Sequence, residues 1–194
     1  MNTGLIILAV VGLGYLSNWL NWKFLNYKLT HYLYYIGAFV HESSHALACI
    51  ITGAKIQEYK VFTSQPHVTH SKSRIPILGS FLISIAPLFG GIFFIYLINH
   101  FLLGNNSAIF LTMPNLLRWQ TWVLILLLIN VGAMIGPSFQ DIKNMWPALI
   151  VLFFINIPVI NTAGMFALSL IGASILIQVI AIICIKVVRF IINR

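Results

Sequence analysis

Long apolar runs dominate the chain, with short polar breaks between them. A helix that crosses a bilayer needs roughly 20 mainly apolar residues. Six segments read as such spans: 3–20, 29–52, 75–103, 117–136, 146–160 and 164–188. The fifth is short, and only a brief polar break parts it from the fourth. One connection has a different rhythm. Residues 55–62 alternate roughly polar and apolar, 63–66 have a turn composition ending in Pro66, and His67 to His70 read as a second short strand. The pattern predicts an all-α membrane protein of about six transmembrane helices, with a short membrane-associated β-hairpin (55–70) between the second and third. Residues 1–194 read as a single domain, with a core at 29–144 and additional helices at 3–20, 146–160 and 164–188. No fixed-period repeat interrupts that reading.

Composition supports the bilayer as solvent. Hydrophobic residues make up 60% of the 194 and charged residues only 7%, where a soluble domain carries about 25% charged. A soluble fold of this length must still cover its exterior with groups that tolerate water. The formal charge of +8 does not indicate nucleic acid, because the eleven Lys and Arg sit between and after apolar runs, as loop charges and snorkelling anchors do. With six spans, one side receives Lys55, Lys60, Lys72, Arg74, Lys143, Lys186, Arg189 and Arg194, and the other only Lys23, Lys28 and Arg118. The positive-inside rule then places both termini and the Lys55–Arg74 connection in the cytoplasm of a multi-pass protein of the cell membrane. Cys49 and Cys184 lie within apolar runs and read as small buried hydrophobes. No cleaved secretory signal is expected, since the first residues carry no positive side chain.

The chain has three acidic residues, Glu42, Glu58 and Asp141. Two of them lie in or at the edge of a span, where an ionisable side chain is expensive and by default functional. Glu42 belongs to His41-Glu42-Ser43-Ser44-His45, the H-E-x-x-H pattern on a helix. Residues four apart share a face, so both imidazoles can reach one metal, and the glutamate is placed to act as general base. Chance produces this pattern in roughly one such chain in 500. The bland alternative, a satisfied polar cluster between helices, must bury three polar groups at about 2–3 kcal/mol each unless they are partnered. Catalytic zinc takes three protein ligands and an open position. The position for an extended third histidine is Ile51, and Glu58 lies in the hairpin. Asp141 remains, at the inner end of the fourth span after Gly136-Pro137-Ser138. A competing role for Asp141 is pairing with Lys143 or capping the next helix. His67 and His70 read as hairpin residues, His31 and His100 as interfacial, and Cys49 as packing.

Residues 41–53 (HESSHALACIITG), the hairpin after them, residues 84–91 (SIAPLFGG) and the stretch from Asn130 through residues 136–141 (GPSFQD) resemble the site-2 protease family of intramembrane zinc metalloproteases. The likeness covers roughly residues 29–144 and is to small, divergent members without accessory domains, so no PDZ-like or nucleotide-sensing domain is expected. It implies that His41, His45 and Asp141 bind Zn2+, that Glu42 is the catalytic base, and that Asn130 contacts substrate. It also implies a membrane-spanning protein substrate that pairs with the hairpin as an added strand. The chain departs from the family pattern in Ala86-Pro87, which lacks an intervening glycine. Other departures are Gly90-Gly91 near a customary asparagine, Ile142-Lys143 after the aspartate, and the upstream position of Asn130. A non-proteolytic scaffold and a metal-ion transporter are the alternatives to a protease.

Overall fold

A computed structural model of the chain describes residues 2–24, 34–63, 65–103 and 117–192. Six helices and a hairpin follow in order: α1 (Thr3–Phe24), α2 (Tyr35–Thr52), β1 (Ile56–Lys60), β2 (His67–His70), α3 (Leu78–Leu103), α4 (Trp119–Met134), α5 (Phe139–Leu152) and α6 (Pro158–Ile192). The first residues expected in the second span, including His31, lie outside the described residues. The hairpin forms as its alternation predicts, an antiparallel pair with Tyr59 opposite Val68 and Lys60 opposite His67.

Local chemistry sets the helix ends. Gly53 closes α2 in the left-handed conformation at φ 70°, which only glycine adopts without strain, and its N–H is donated back to the carbonyls of Cys49 and Ile50. After Met134 the chain meets Gly136 and Pro137. Proline has no N–H and disfavours helix at the residue before it, so α4 stops. Ser138 then starts α5 with a reciprocal cap: its hydroxyl accepts from the Asp141 N–H while Asp141 accepts from the Ser138 N–H.

Among the described residues, α6 and the 78–98 part of α3 are each long and apolar enough to cross a membrane, and α4 with α5 passes as a pair bent by 67°. Apolar character in α1 covers Thr3–Ser17. The expected fourth and fifth spans therefore do not stand as two crossings. The fifth starts at Phe139 rather than at 146, and its 14 residues rise about 21 Å, short of a hydrocarbon core about 30 Å thick.

Side-chain pairings give the helix directions. Gly164 meets Ile6, the Gln178 amide donates to Ser17 Oγ at 2.9 Å, and Lys186 Nζ lies 5.2 Å from the Phe24 ring centre, so α1 and α6 run parallel. Ser174 donates to the Ile129 carbonyl while Gly132 packs on Leu170, so α4 opposes α6. Ser44 against Gly90 and Thr52 near Gly79 make α2 and α3 antiparallel. Gly136 packs on Gly14, yet α5 ends where the Asn2 amide donates to the Phe153 carbonyl. The bent pair thus continues in one direction as a broken span. By direction, α1, α3 and α6 run one way and α2 and the α4–α5 pair the other, and Asn2 and Ile192 lie at opposite ends of the bundle.

Among the described residues two to three segments qualify as spans, where six were expected. Lys186, assigned by six spans to the hairpin side, lies toward the Phe24 end of the bundle. Buried polar contacts hold the bundle: Ser17, Ser174 and Gln178 are almost wholly enclosed and link α1, α4 and α6. Hydrogen bonds of this kind between membrane helices contribute about 0.6 kcal/mol each.

A protease-cleavable tag placed before Asn2 and one placed after Ile192 should be cut from opposite faces of sealed membrane vesicles. Cleavage of both from the same face would restore the even-numbered topology.

Candidate metal centre

Each ligand side chain is brought in by a different local device. His41 and His45 sit one turn apart on α2, and Asp141 in the first turn of α5. All three, with Glu42, are only 6 to 8% exposed. His41 Nε2 and His45 Nε2 are 3.1 Å apart, His45 Nε2 is 3.4 Å from Asp141 Oδ1, and His41 Nε2 is 3.8 Å from Asp141 Oδ2. Among the described residues this is the group of His, Cys, Asp or Glu able to hold a metal ion.

The other faces of the imidazoles explain why the Nε2 atoms point inward. His41 Nδ1–H donates to the Met134 carbonyl at 2.6 Å, and His45 Nδ1–H donates to the Ile83 carbonyl at 2.8 Å. Neither carbonyl is used by its own helix. In α3 the partner of the Ile83 carbonyl, four residues on, is Pro87, which has no N–H to give. The partner of Met134 is Ser138, beyond the end of α4, whose N–H is committed to Asp141 at 2.7 Å. Two prolines thus free two acceptors, and each fixes one imidazole tautomer. With both protons on Nδ1, two Nε2 lone pairs face each other at 3.1 Å beside a carboxylate. That arrangement is repulsive unless a cation lies between them.

The spacing fits a metal. Four ligands at about 2.0–2.1 Å in a tetrahedron stand about 3.3–3.4 Å from one another, and the observed 3.1, 3.4 and 3.8 Å bracket that edge. His41, His45 and Asp141 therefore form a set able to hold a metal ion. Asp141 reaches it because the Ser138 cap fixes its carboxylate: Oδ2 accepts from Ser138 N–H and from Ser138 Oγ at 2.6 Å. Capping the next helix and facing the histidines, set against each other in the sequence, are one arrangement. Its signal was present as a Ser three residues before an acid. The Asp141–Lys143 pairing does not form; Lys143 Nζ lies over the Phe139 ring at 4.6 Å.

Asn130, for which the resemblance implies a substrate contact, makes a hydrogen bond within the bundle. Its Oδ1 accepts from the Gly37 N–H at 2.6 Å, one of the amides that the first turn of α2 cannot satisfy internally. A side chain at Gly37 would strike the Asn130 backbone. Gly37–Asn130 and His41–Met134 are both separated by 93 residues, so they form two rungs one helical turn apart between parallel helices.

The hairpin closes the Glu42 side. Ser43 Oγ lies 2.8 Å from Tyr59 Oη, and the Glu42 carboxylate interacts with the Val68 backbone amide. Phe62 stacks on Phe39 with ring centres 6.2 Å apart. Tyr59 and Val68 are cross-strand partners, so one rung of the hairpin is docked on two consecutive residues of the motif. His67 and His70 stay in the hairpin: His67 pairs with Glu58 at 3.2 Å, and His70 Nδ1 donates to the Ser71 carbonyl. His100 stacks on Tyr96 near the end of α3. Cys49 is fully buried against Ala48, Ala54 and Ile83.

No family model, no curated protein and no solved structure matches this chain.

Replacing Pro87 by Ala should give the Ile83 carbonyl a helix partner, withdraw it from His45 and weaken metal affinity about 10-fold or more, although α3 itself becomes more regular. Ser138→Ala should weaken binding through Asp141 within the same 10–100-fold range. Metal titration of the purified variants reads both effects; affinity unchanged in both would remove the second-sphere role.

The exposed ion pairs of the hairpin have a defined pH window. Lys60 first and His67 second hold the Glu58 carboxyl below its usual 4.5, while the Gln65 carbonyl first and Glu58 second raise His67 above its usual 6.5. The Glu58 contribution is present above about 4.5 and lost as pH falls through its depressed value. That of His67 is full below about 6.5 and lost as pH rises through its raised value. The clasp should be strongest between those limits. In an NMR titration of the His67 ring, Glu58→Gln should lower the midpoint; an unmoved midpoint would mean the pair does not form.

Proposed function

We propose that this chain is an intramembrane zinc metalloprotease that hydrolyses peptide bonds of membrane-spanning or membrane-associated proteins. The observation that carries the reading is the pair of inward Nε2 lone pairs, held 3.1 Å apart beside the Asp141 carboxylate with Glu42 adjoining. Two neutral imidazoles and a carboxylate with one position left open are the donor set of catalytic rather than structural zinc. A glutamate buried beside such a set is unnecessary for a scaffold and necessary for a hydrolase.

In this reading His41, His45 and Asp141 hold the ion, which supplies Lewis acidity toward the scissile carbonyl and toward water. Glu42 accepts the proton of the attacking water and passes it to the leaving amine. The hairpin keeps the Glu42 edge in place through Tyr59 and Val68. A substrate helix satisfies its own backbone bonds, so the segment to be cut must unwind; an extended strand laid beside the hairpin replaces the hydrogen bonds it gives up. The centre lies seven residues before the end of α2, about 10 Å from the hairpin end, a short path for water.

The deciding experiment compares the native chain with Glu42→Gln, measuring bound metal and cleavage of single-span membrane proteins in reconstituted vesicles. Both proteins should bind one zinc, and the variant should lose about 10²–10⁴-fold in cleavage rate. Metal binding with no cleavage by either would favour a scaffold. Metal uptake into the vesicles that is abolished by His41→Ala would favour a transporter.

A further inference from the structure

Outside the metal centre, a groove of about 340 Å³ opens between α2 and α3. Leu47, Ile51, Leu82, Ala86, Phe89 and Phe93 make its walls. Its floor exists because Gly90 has no side chain; a Cβ there would collide with Ser44. One end of the groove is Thr52, the last residue of α2. Here the chemistry changes abruptly. The Thr52 carbonyl accepts from the Arg74 N–H at 3.2 Å, and the Arg74 side chain lies across Gly53. Lys55 is tied to Ser71 by backbone and hydroxyl hydrogen bonds, which brings Lys55, Lys72 and Arg74 to one rim.

All three cations are exposed, and no acidic side chain among the described residues pairs with them. Glu58 is taken by Lys60 and His67, and Glu42 and Asp141 are buried in the metal centre. An apolar slot capped by unpaired positive charge calls for an occupant with an anionic head and a slender apolar tail. The exposed cations complement a phosphate, and the apolar walls complement an acyl chain.

We propose that the α2–α3 groove binds one anionic phospholipid, its acyl chain against Leu47, Leu82, Ala86 and Phe93 and its phosphate against Arg74, with Lys55 and Lys72 beside it. The site rests on the bilayer setting of the chain and not on proteolysis, so either can fail without the other. A lipid seated here lies directly behind Ser44 and Ala48, on the flank of α2 next to His45, and stiffens the helix that carries the ligands.

The test is native mass spectrometry of the detergent-purified protein, titrated with phosphatidylglycerol or with phosphatidylcholine of the same acyl chains. The expected result is one tightly retained phosphatidylglycerol, with phosphatidylcholine retained more weakly. Arg74→Gln should lower phosphatidylglycerol retention about fivefold, Ala86→Phe should abolish it by filling the groove, and Leu126→Phe, on an exposed face of α4, should leave it unchanged. Free glycerol phosphate should not compete. Metal content and elution volume report folding; if Ala86→Phe disturbs either, Leu47→Trp fills the same space from an exposed wall. Equal retention of the two lipids, or undiminished retention in the filled variant, would overturn the assignment. So would a groove-filling substitution that blocks crosslinking of a membrane-protein substrate while lipid retention persists, which would give the groove to a polypeptide.

Discussion

Two backbone carbonyls that their own helices cannot use, those of Ile83 and Met134, set the orientation of both imidazoles, and the metal centre depends on them. An interior helical carbonyl is normally committed to the amide four residues later. Pro87 removes that amide in α3, and the Pro137 break removes it at the end of α4. Each orphaned acceptor, enclosed where water cannot satisfy it, is costly alone and is satisfied by an Nδ1–H. The same two hydrogen bonds leave both Nε2 atoms bare and facing. Helix imperfection and ligand geometry are therefore one design, and a more regular α3 or an unbroken α4–α5 would orient the imidazoles less well.

The sequence carried the ligands plainly and the path between them poorly. His41, Glu42 and His45 are four-residue periodicity on one helix, which needs no tertiary knowledge, and Asp141 followed from the scarcity of acids. The hairpin was legible because alternation of polar and apolar residues changes abruptly at Lys55. Hydropathy, however, measures composition and not direction. It read residues 117–136 and 146–160 as two crossings, because the polar segment between them resembles a loop, whereas the Ser138 cap restarts the helix inside the bundle. The count also entered the charge argument, which put Lys186 on the hairpin side, whereas it lies toward the Phe24 end of the bundle. Asn130 was singled out by resemblance, and its bond to Gly37 could not be seen without knowing that positions 93 residues apart are neighbours. Pro87 was in view as part of a motif, but its consequence for His45 needs the pairing of α2 with α3.

The hairpin is more than a cover. Its middle rung, Tyr59 with Val68, rests on Ser43 and Glu42, so the outermost polar element of the chain is registered against the residue proposed as base. The ring of Phe62 on Phe39 anchors the same element one turn earlier on α2. Chemistry at the centre and the position of the hairpin are thereby linked through a single helix face.

The two rungs between α2 and α4, Gly37 to Asn130 and His41 to Met134, act together as a detent. Because each is one turn from the other, α2 cannot slide along α4 by a small amount and keep either; the next position that re-engages the same spacing is a full turn away, about 5.4 Å. Sliding of these helices is thus quantised, and a partial step would unlatch His41 from Met134 at the same moment that Gly37 leaves Asn130. Any opening of the bundle that preserves a working centre must swing other elements, with α2 and α4 moving as a rigid couple.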